Sequence, residues 1–169
     1  MNEDLKHYGN SFFRLSTLLK CIGIVLITTL IGCVQPINET KNKESNINKT
    51  YIDPAQGYSQ AVAVKANGIK TIYISGQVGS GESFEAQFRD ALGKLFTTLE
   101  NSGVSFDDVV KYNTYIVDYQ PAYLDTFRTV RKELLGDKDM PASTLVGVQA
   151  LGLPEWGVEI EAVAVVESG

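Results

Sequence analysis

The chain has 169 residues, 15 Lys and Arg against 20 Asp and Glu, one histidine and two cysteines, for a net charge of -5. That length suits one domain with accessory segments. The acidic balance disfavours a nucleic-acid partner, since phosphate binding needs clustered basic residues.

Residues 1–20 carry the cations Lys6, Arg14 and Lys20 and lead into an uncharged apolar run from Cys21 to Gly32. The run falls short of the roughly 20 residues that span a bilayer and fits the core of a signal peptide. Leu30-Ile31-Gly32-Cys33 then resembles a bacterial lipobox, in which cleavage precedes the cysteine and lipid is attached to its sulfur. The alternatives are a plain signal anchor or a chance cysteine. Residues 34–50 are polar and poor in large apolar side chains, as in a flexible tether. The expected organisation is a lipoprotein signal peptide at 1–32, a tether at 33–52 beginning with lipidated Cys33, and a folded domain at 53–169. The expected location is the bacterial cell envelope, on a membrane and facing away from the cytoplasm, the periplasmic side.

Cleavage at Cys33 removes His7 and Cys21, and lipidation consumes the remaining thiol. A Ser-His-Asp triad, a cysteine nucleophile and a His or Cys zinc site are then excluded. Residues 1–32 hold three cations and two anions, so the mature chain keeps 12 cations and 18 anions, net -6. Its chemistry rests on carboxylates, hydroxyls, amides, lysines, arginines and backbone.

In the domain, Ala61 to Ala66 and Ile69 to Gly76 flank Asn67-Gly68, a hairpin signal. Ser83 is placed to cap a helix whose residues Phe84, Phe88, Ala91, Leu92, Leu95, Phe96 and Leu99 share a face, with Gly103 as its stop. Val109 to Val117 has strand composition. After Pro121 a second helix aligns Tyr123, Phe127, Val130 and Leu134 and stops at Gly136. Thr144 to Ala150 and Val158 to Val166 close the chain as strands. The order β-β-α-β-α-β-β predicts an α+β domain, one mostly antiparallel sheet with both helices on one face.

Strand alternation divides the sheet into two faces. Val158, Ile160, Ala162 and Ala164 share one side of the last strand, and Glu159, Glu161, Val163 and Val165 the other. In the second strand Ile72 and Ile74 oppose Tyr73, Ser75 and Gln77. The mixed face of Tyr, Ser, Gln, Glu and Val is either solvated or a subunit interface that holds a ligand.

The runs Ile74-Ser75-Gly76-Gln77, Ser102 to Lys111 (SGVSFDDVVK), Met140-Pro141-Ala142 and Val158 to Val165 (VEIEAVAV) resemble the RidA/YjgF family of reactive-intermediate deaminases, in order and spacing from about Tyr58 to Val166. The resemblance implies a chorismate-mutase-like, ferredoxin-like α+β fold, a homotrimer with clefts between subunits, and hydrolysis of 2-imino and 2-enamino acids to 2-keto acids and ammonia. By position, Tyr58 and Ser75 resemble pocket-wall residues and Glu159 the glutamate that handles the water. Leu145 falls where the family often has cysteine, and Phe127 near a frequent asparagine. Ser143 is the main departure, because deaminating members have there an arginine that forks onto the substrate carboxylate. A hydroxyl supplies neither the charge nor the planar pair of donors.

Glu159 is thus a candidate general base or a solvated strand glutamate, and Ser75 either bonds a ligand or satisfies backbone. Tyr58 covers a cleft or seals a subunit seam. Ser143 and Thr144 are candidates for binding a neutral polar ligand, with strand propensity sufficient for Thr144. Trp156 either stacks on a ligand or caps the core edge. No cofactor is implied, since there is no glycine-rich phosphate loop and no His or Cys ligand set. The expected function is hydrolytic deamination of small imines or enamines other than the standard 2-imino acids. The alternative is a non-catalytic small-molecule-binding trimer tethered to a membrane. An older label for relatives, ribonuclease, fits poorly with an acidic mature chain that has lost its one histidine.

Overall fold

In the computed structural model the described residues are 47–169. The signal peptide, Cys33 and the tether up to residue 46 lie outside them. Among the described residues no helix is long and apolar enough to cross a membrane.

Six strands and two helices form the domain. The strands are β1 (Asn48–Ala55), β2 (Tyr58–Ala66), β3 (Ile69–Val78), β4 (Val109–Val117), β5 (Ala142–Val148) and β6 (Val158–Glu167). The helices are α1 (Phe84–Asn101) and α2 (Tyr123–Leu135). The sheet order is β1-β2-β3-β6-β4-β5, antiparallel except where β5 joins β4 in parallel across the α2 crossover.

β1 corrects the sequence reading in one respect. Asn48 to Ile52, expected as tether, pair with β2 from Asn48↔Lys65 to Ile52↔Ala61. The segment is almost entirely exposed, so it lacks the apolar alternation that marks a strand, and it is held mainly by main-chain pairing, with Ile52 packed against the core and Asp53 accepting from Asn101 Nδ2 at 2.7 Å. β2 also begins at Tyr58, earlier than the apolar pattern indicated, and β5 occupies 142–148, two residues ahead of the expected 144–150.

The Asn67-Gly68 turn behaves as its composition demands. Both residues have positive φ, 52° and 81°, the two-residue hairpin geometry that matches strand twist. Ser83 caps α1 by accepting from the Ala86 amide at 3.2 Å. Gly103 at φ 72° and Gly136 at φ 74° follow the two helix ends.

Both helices cover one face of the sheet. Phe88, Ala91, Leu92, Leu95 and Leu99 of α1 and Phe127, Val130 and Leu135 of α2 pack on Ala61, Ala63, Ile72, Ile74, Ile160, Ala162 and Ala164. Leu135 occupies the place expected of Leu134, which is 42% exposed. Phe127, on the expected stripe of the second helix and near a position where the family often has asparagine, is core, stacked on Phe88 at 4.8 Å between ring centroids. Phe88→Ala should destabilise the domain by about 3–5 kcal/mol, read as a lower urea midpoint, because no small side chain fills the space between the helices.

Among the described residues no helix lies over the opposite face. A cross-strand row of Tyr51, Val62, Tyr73 and Val163 runs over four adjacent strands. Tyr51 is 62% and Tyr73 54% exposed, a large apolar area for a face that carries polar neighbours.

Candidate functional site

The site is built by an irregularity in β3. Ile74 pairs with Ala162 and Gln77 with Ile160, so Ser75 and Gly76 together oppose Glu161 alone. This bulge reverses the alternation beyond it. Gln77, expected on the mixed face with Ser75, turns instead to the helix side and is buried. Val78 takes its place beside Glu159.

A cleft of about 510 Å³ opens at the bulge, lined by Tyr58, Gln60, Ser75, Gly76, Gln77, Val78, Lys94, Trp156 and Glu159. Its size is in the range of small-molecule sites. Gln77 anchors it from beneath: its Nε2 donates to Gln60 Oε1 at 3.0 Å and to the Ser75 carbonyl at 2.9 Å. Its Oε1 accepts from Thr98 Oγ1 of α1 at 3.2 Å. Gln60 Nε2 in turn donates to the Tyr58 hydroxyl at 3.3 Å, so a chain of side chains ties Tyr58 to the core.

Glu159 lies across Gly76, where an added Cβ would coincide with its carboxylate. Only a residue without a side chain leaves that space, which gives Gly76 a specific role at the bulge. Gly76→Ala should displace the Glu159 carboxylate while leaving the core intact. The expected readout is a large loss of ligand binding or turnover with a near-native circular dichroism spectrum.

The two glutamates of β6 have different surroundings. Glu161 accepts from Asn113 Nδ2 at 2.7 Å and from the Tyr115 hydroxyl at 2.8 Å, and that hydrogen bond, with burial and the charge of Glu161, pushes the Tyr115 phenol up. Glu159 has no hydrogen-bond partner for its carboxylate among the described residues. Burial, and secondarily the charge of Glu161, holds its carboxyl above the ordinary range. A half-buried carboxylate without a partner among the described residues, lying in a cleft, is a candidate functional group.

The expected site residues fall into two groups. Tyr58, Ser75 and Glu159 line the same cleft. Ser143 and Thr144 do not join them within one chain, because β5 lies two strands from β6, which carries Glu159, and three from β3, separations of about 10 and 14 Å at ordinary strand spacing. Register separates them further. Ser143 pairs with buried Tyr112 and so lies on the helix side of the sheet, the side opposite Glu159. Thr144 shares the Glu159 side, where it accepts a short hydrogen bond from Lys111 Nζ. Leu145 follows Ser143 to the helix side and packs against the core.

Ser75 donates its hydroxyl proton to the Ser59 carbonyl at 2.7 Å, the backbone-satisfying arrangement, and so offers the cleft lone pairs only. Gln60, Gly76 and Lys94 were not legible as cleft residues from strand alternation. A glycine inside the strand pattern at Gly76 was the available sign of a bulge. No cluster of three His, Cys, Asp or Glu side chains able to hold a metal occurs among the described residues.

Comparison with known proteins places this architecture. The endoribonuclease L-PSP family matches residues 48–166, and the chain belongs to that family, known also as RidA/YjgF. It is 36% identical over 124 residues to a 2-iminobutanoate/2-iminopropanoate deaminase of Dermatophagoides farinae, covering 68% of this chain and 89% of the relative. It is 36% identical over 124 residues to the mitochondrial protein mmf1 of Schizosaccharomyces pombe, over 68% of this chain and 70% of mmf1. Among solved structures, a YjgF/YER057c/UK114 family member from Mycobacterium tuberculosis aligns with a TM-score of 0.58 at 30% identity, over 70% of this chain and all of the other. RidA from an Antarctic Psychrobacter aligns with a TM-score of 0.56 at 30% identity, over 69% and 94% of the two chains.

Proposed function

We propose that the protein is a hydrolytic deaminase of small imines or enamines that lack the carboxylate of the standard 2-imino acids. The observation that carries this reading is the Glu159 carboxylate, half-buried, unpaired and held over Gly76 in the cleft. Water attacks the carbon of a protonated C=N bond while Glu159 takes its proton. The new C–O bond forms as the C=N π electrons move to nitrogen. Glu159 returns the proton to that nitrogen, the C–N bond breaks as the new hydroxyl gives its proton to the freed carboxylate and its oxygen forms the C=O bond, and ammonia and a carbonyl product leave. The deaminase name of a relative at 36% identity supports the reaction class. Ser143, where the family's carboxylate-binding arginine stands, supports the change of substrate.

The second reading is a non-catalytic binder of a small molecule at the same cleft, favoured by the same serine. Ribonuclease chemistry has less support, since His7 is the chain's one histidine and the net charge is -5. Mass spectrometry of ligand carried through purification separates the two main readings. A hydrolysable C=N compound or its carbonyl product is expected, and a stable metabolite would favour the binder.

The assembly proposed is a homotrimer with the cleft between subunits. It is supported by the row of Tyr51, Val62, Tyr73 and Val163, whose tyrosines are exposed and whose valines are half-buried, and by the separation of Ser143 from Glu159 within one chain. Protein lacking residues 1–46 should sediment as three chains at micromolar concentration, and a monomer would remove the intersubunit cleft. Lipidation of Cys33 and a periplasm-facing membrane anchor are part of the same proposal, resting on the lipobox-like run at 30–33. Cys33→Ala should accumulate as uncleaved precursor in membranes. Normally cleaved protein without lipid would rule the anchor out.

A further inference from the structure

We propose that the cleft selects an organic cation, a protonated amine or iminium bearing an apolar ring, with Glu159 as its counter-charge and Trp156 and Tyr58 as aromatic walls. This rests on the reading that the cleft is the ligand site, and it names the ligand's charge and shape.

The charges in the cleft point one way. Lys94, the one cation among the described residues that line it, has three donors, all engaged: the Val78 carbonyl at 2.8 Å, Ser80 Oγ at 3.2 Å and Asp90 Oδ2 at 2.8 Å. Lys94 is therefore neutralised by Asp90 and has no proton left to aim at an anion. Glu159 has no such partner among the described residues, so the cleft carries an uncompensated negative charge with Glu161 nearby on the same strand face. Ser75 has already given its proton to Ser59 and presents only an acceptor. Tyr58 and Gln60 retain neutral donors, too weak in charge to reverse the sign. An anionic ligand would meet repulsion from Glu159 without an ion pair in return, whereas an N–H cation satisfies Glu159 and Ser75 together.

The walls supply the shape. Trp156 sits in the loop before β6, its six-membered ring laid against Gly152 so closely that a Cβ there would come within 2.8 Å of the ring. That contact fixes the plane of the indole at the cleft wall. Tyr58 stands among the other lining residues, 54% exposed and held by Gln60. Aromatic faces beside a carboxylate favour a cation with a flat apolar body.

The test uses three probes that share a ring and differ in charge: phenethylamine, phenylacetate and 2-phenylethanol. Trp156 is the chain's only tryptophan, so its fluorescence reports occupancy in the full-length protein, with calorimetry as the second readout. Phenethylamine should bind about tenfold more tightly than either other probe. Glu159→Gln should abolish that preference, and Trp156→Leu should weaken the amine about fivefold by calorimetry while Trp156→Phe, which keeps the packing on Gly152, loses less. Equal or tighter binding of phenylacetate, binding of none of the probes, or an amine preference that survives Glu159→Gln overturns the proposal. Amine selectivity without hydrolysis of any imine would sink the deaminase reading and leave this one standing. Hydrolysis of a carboxylate-free imine with no preference for the amine probe would do the reverse.

Discussion

Glu159→Gln should reduce ammonia release by about 100-fold or more, the scale of a lost general base, while leaving the fold intact. The pair Glu159 and Glu161 makes the experiment internally controlled. Glu161→Gln removes a carboxylate that serves Asn113 and Tyr115, and should cost about 1 kcal/mol of stability with activity changed only a few-fold. The pH dependence has a definite sign. Burial raises the Glu159 pKa above its unfolded value, so its contribution to stability is fully present below the unfolded pKa and is lost as pH rises through the folded one. Activity runs the other way, since the base must be ionised, and should fall with acid at a pH above the ordinary carboxylate range. At neutral pH Glu159→Gln removes an unpaired, partly desolvated charge, and its urea midpoint should match or exceed that of the wild type. A stabilised but inactive variant is the signature of a carboxylate kept for chemistry.

Ser143→Arg should raise turnover of 2-iminopropanoate by about tenfold to 100-fold, on the basis of about 1.5–3 kcal/mol for a charge-assisted hydrogen bond. Geometry adds a condition that sequence could not state. Position 143 lies on the helix side of an edge strand, so an arginine there serves a cleft only when a second copy is seated against β5. The gain should therefore appear in the trimer and vanish on dissociation. Ser143→Lys should give less, because a point charge orients a carboxylate poorly beside a planar fork of donors. Combining Ser143→Arg with Glu159→Gln should abolish the gain. If the arginine variant assembles, binds a keto-acid analogue and shows no hydrolysis, the cleft lacks more than a cation and the binding-module reading replaces the enzymatic one.

The elements that burial dictates were readable from sequence. The stripe Phe88, Leu92, Leu95 and Leu99 gave α1, Asn67-Gly68 gave the hairpin, and the alternation of β6 separated Glu159 and Glu161 from Ile160 and Ala162. What was missed depends on pairing between distant segments. β1 has one half-buried residue in eight and is ordered by its ladder with β2, which composition does not encode. Gln77 was assigned to the wrong face because strict alternation holds only until a bulge, and the bulge is set by the match between β3 and β6. The same limit applies to the site. Tyr58, Ser75 and Glu159 share a cleft, but the engaged state of Lys94 and the absence of a partner for Glu159 among the described residues are properties of three-dimensional neighbours. Ser143 shows the complement: its identity was plain in the chain, and its distance from Glu159 needed the strand order.

The most direct measurement is the initial rate of ammonia release from the carboxylate-free imine that a flavin amine oxidase forms in situ from phenethylamine and oxygen, followed with wild type, Glu159→Gln and buffer alone. Wild type should exceed the buffer rate and should prefer this imine to 2-iminopropanoate, with Glu159→Gln falling back to buffer. A wild-type rate equal to buffer for both imines, in a protein that still binds the amine probe, would contradict catalysis and leave a binding protein.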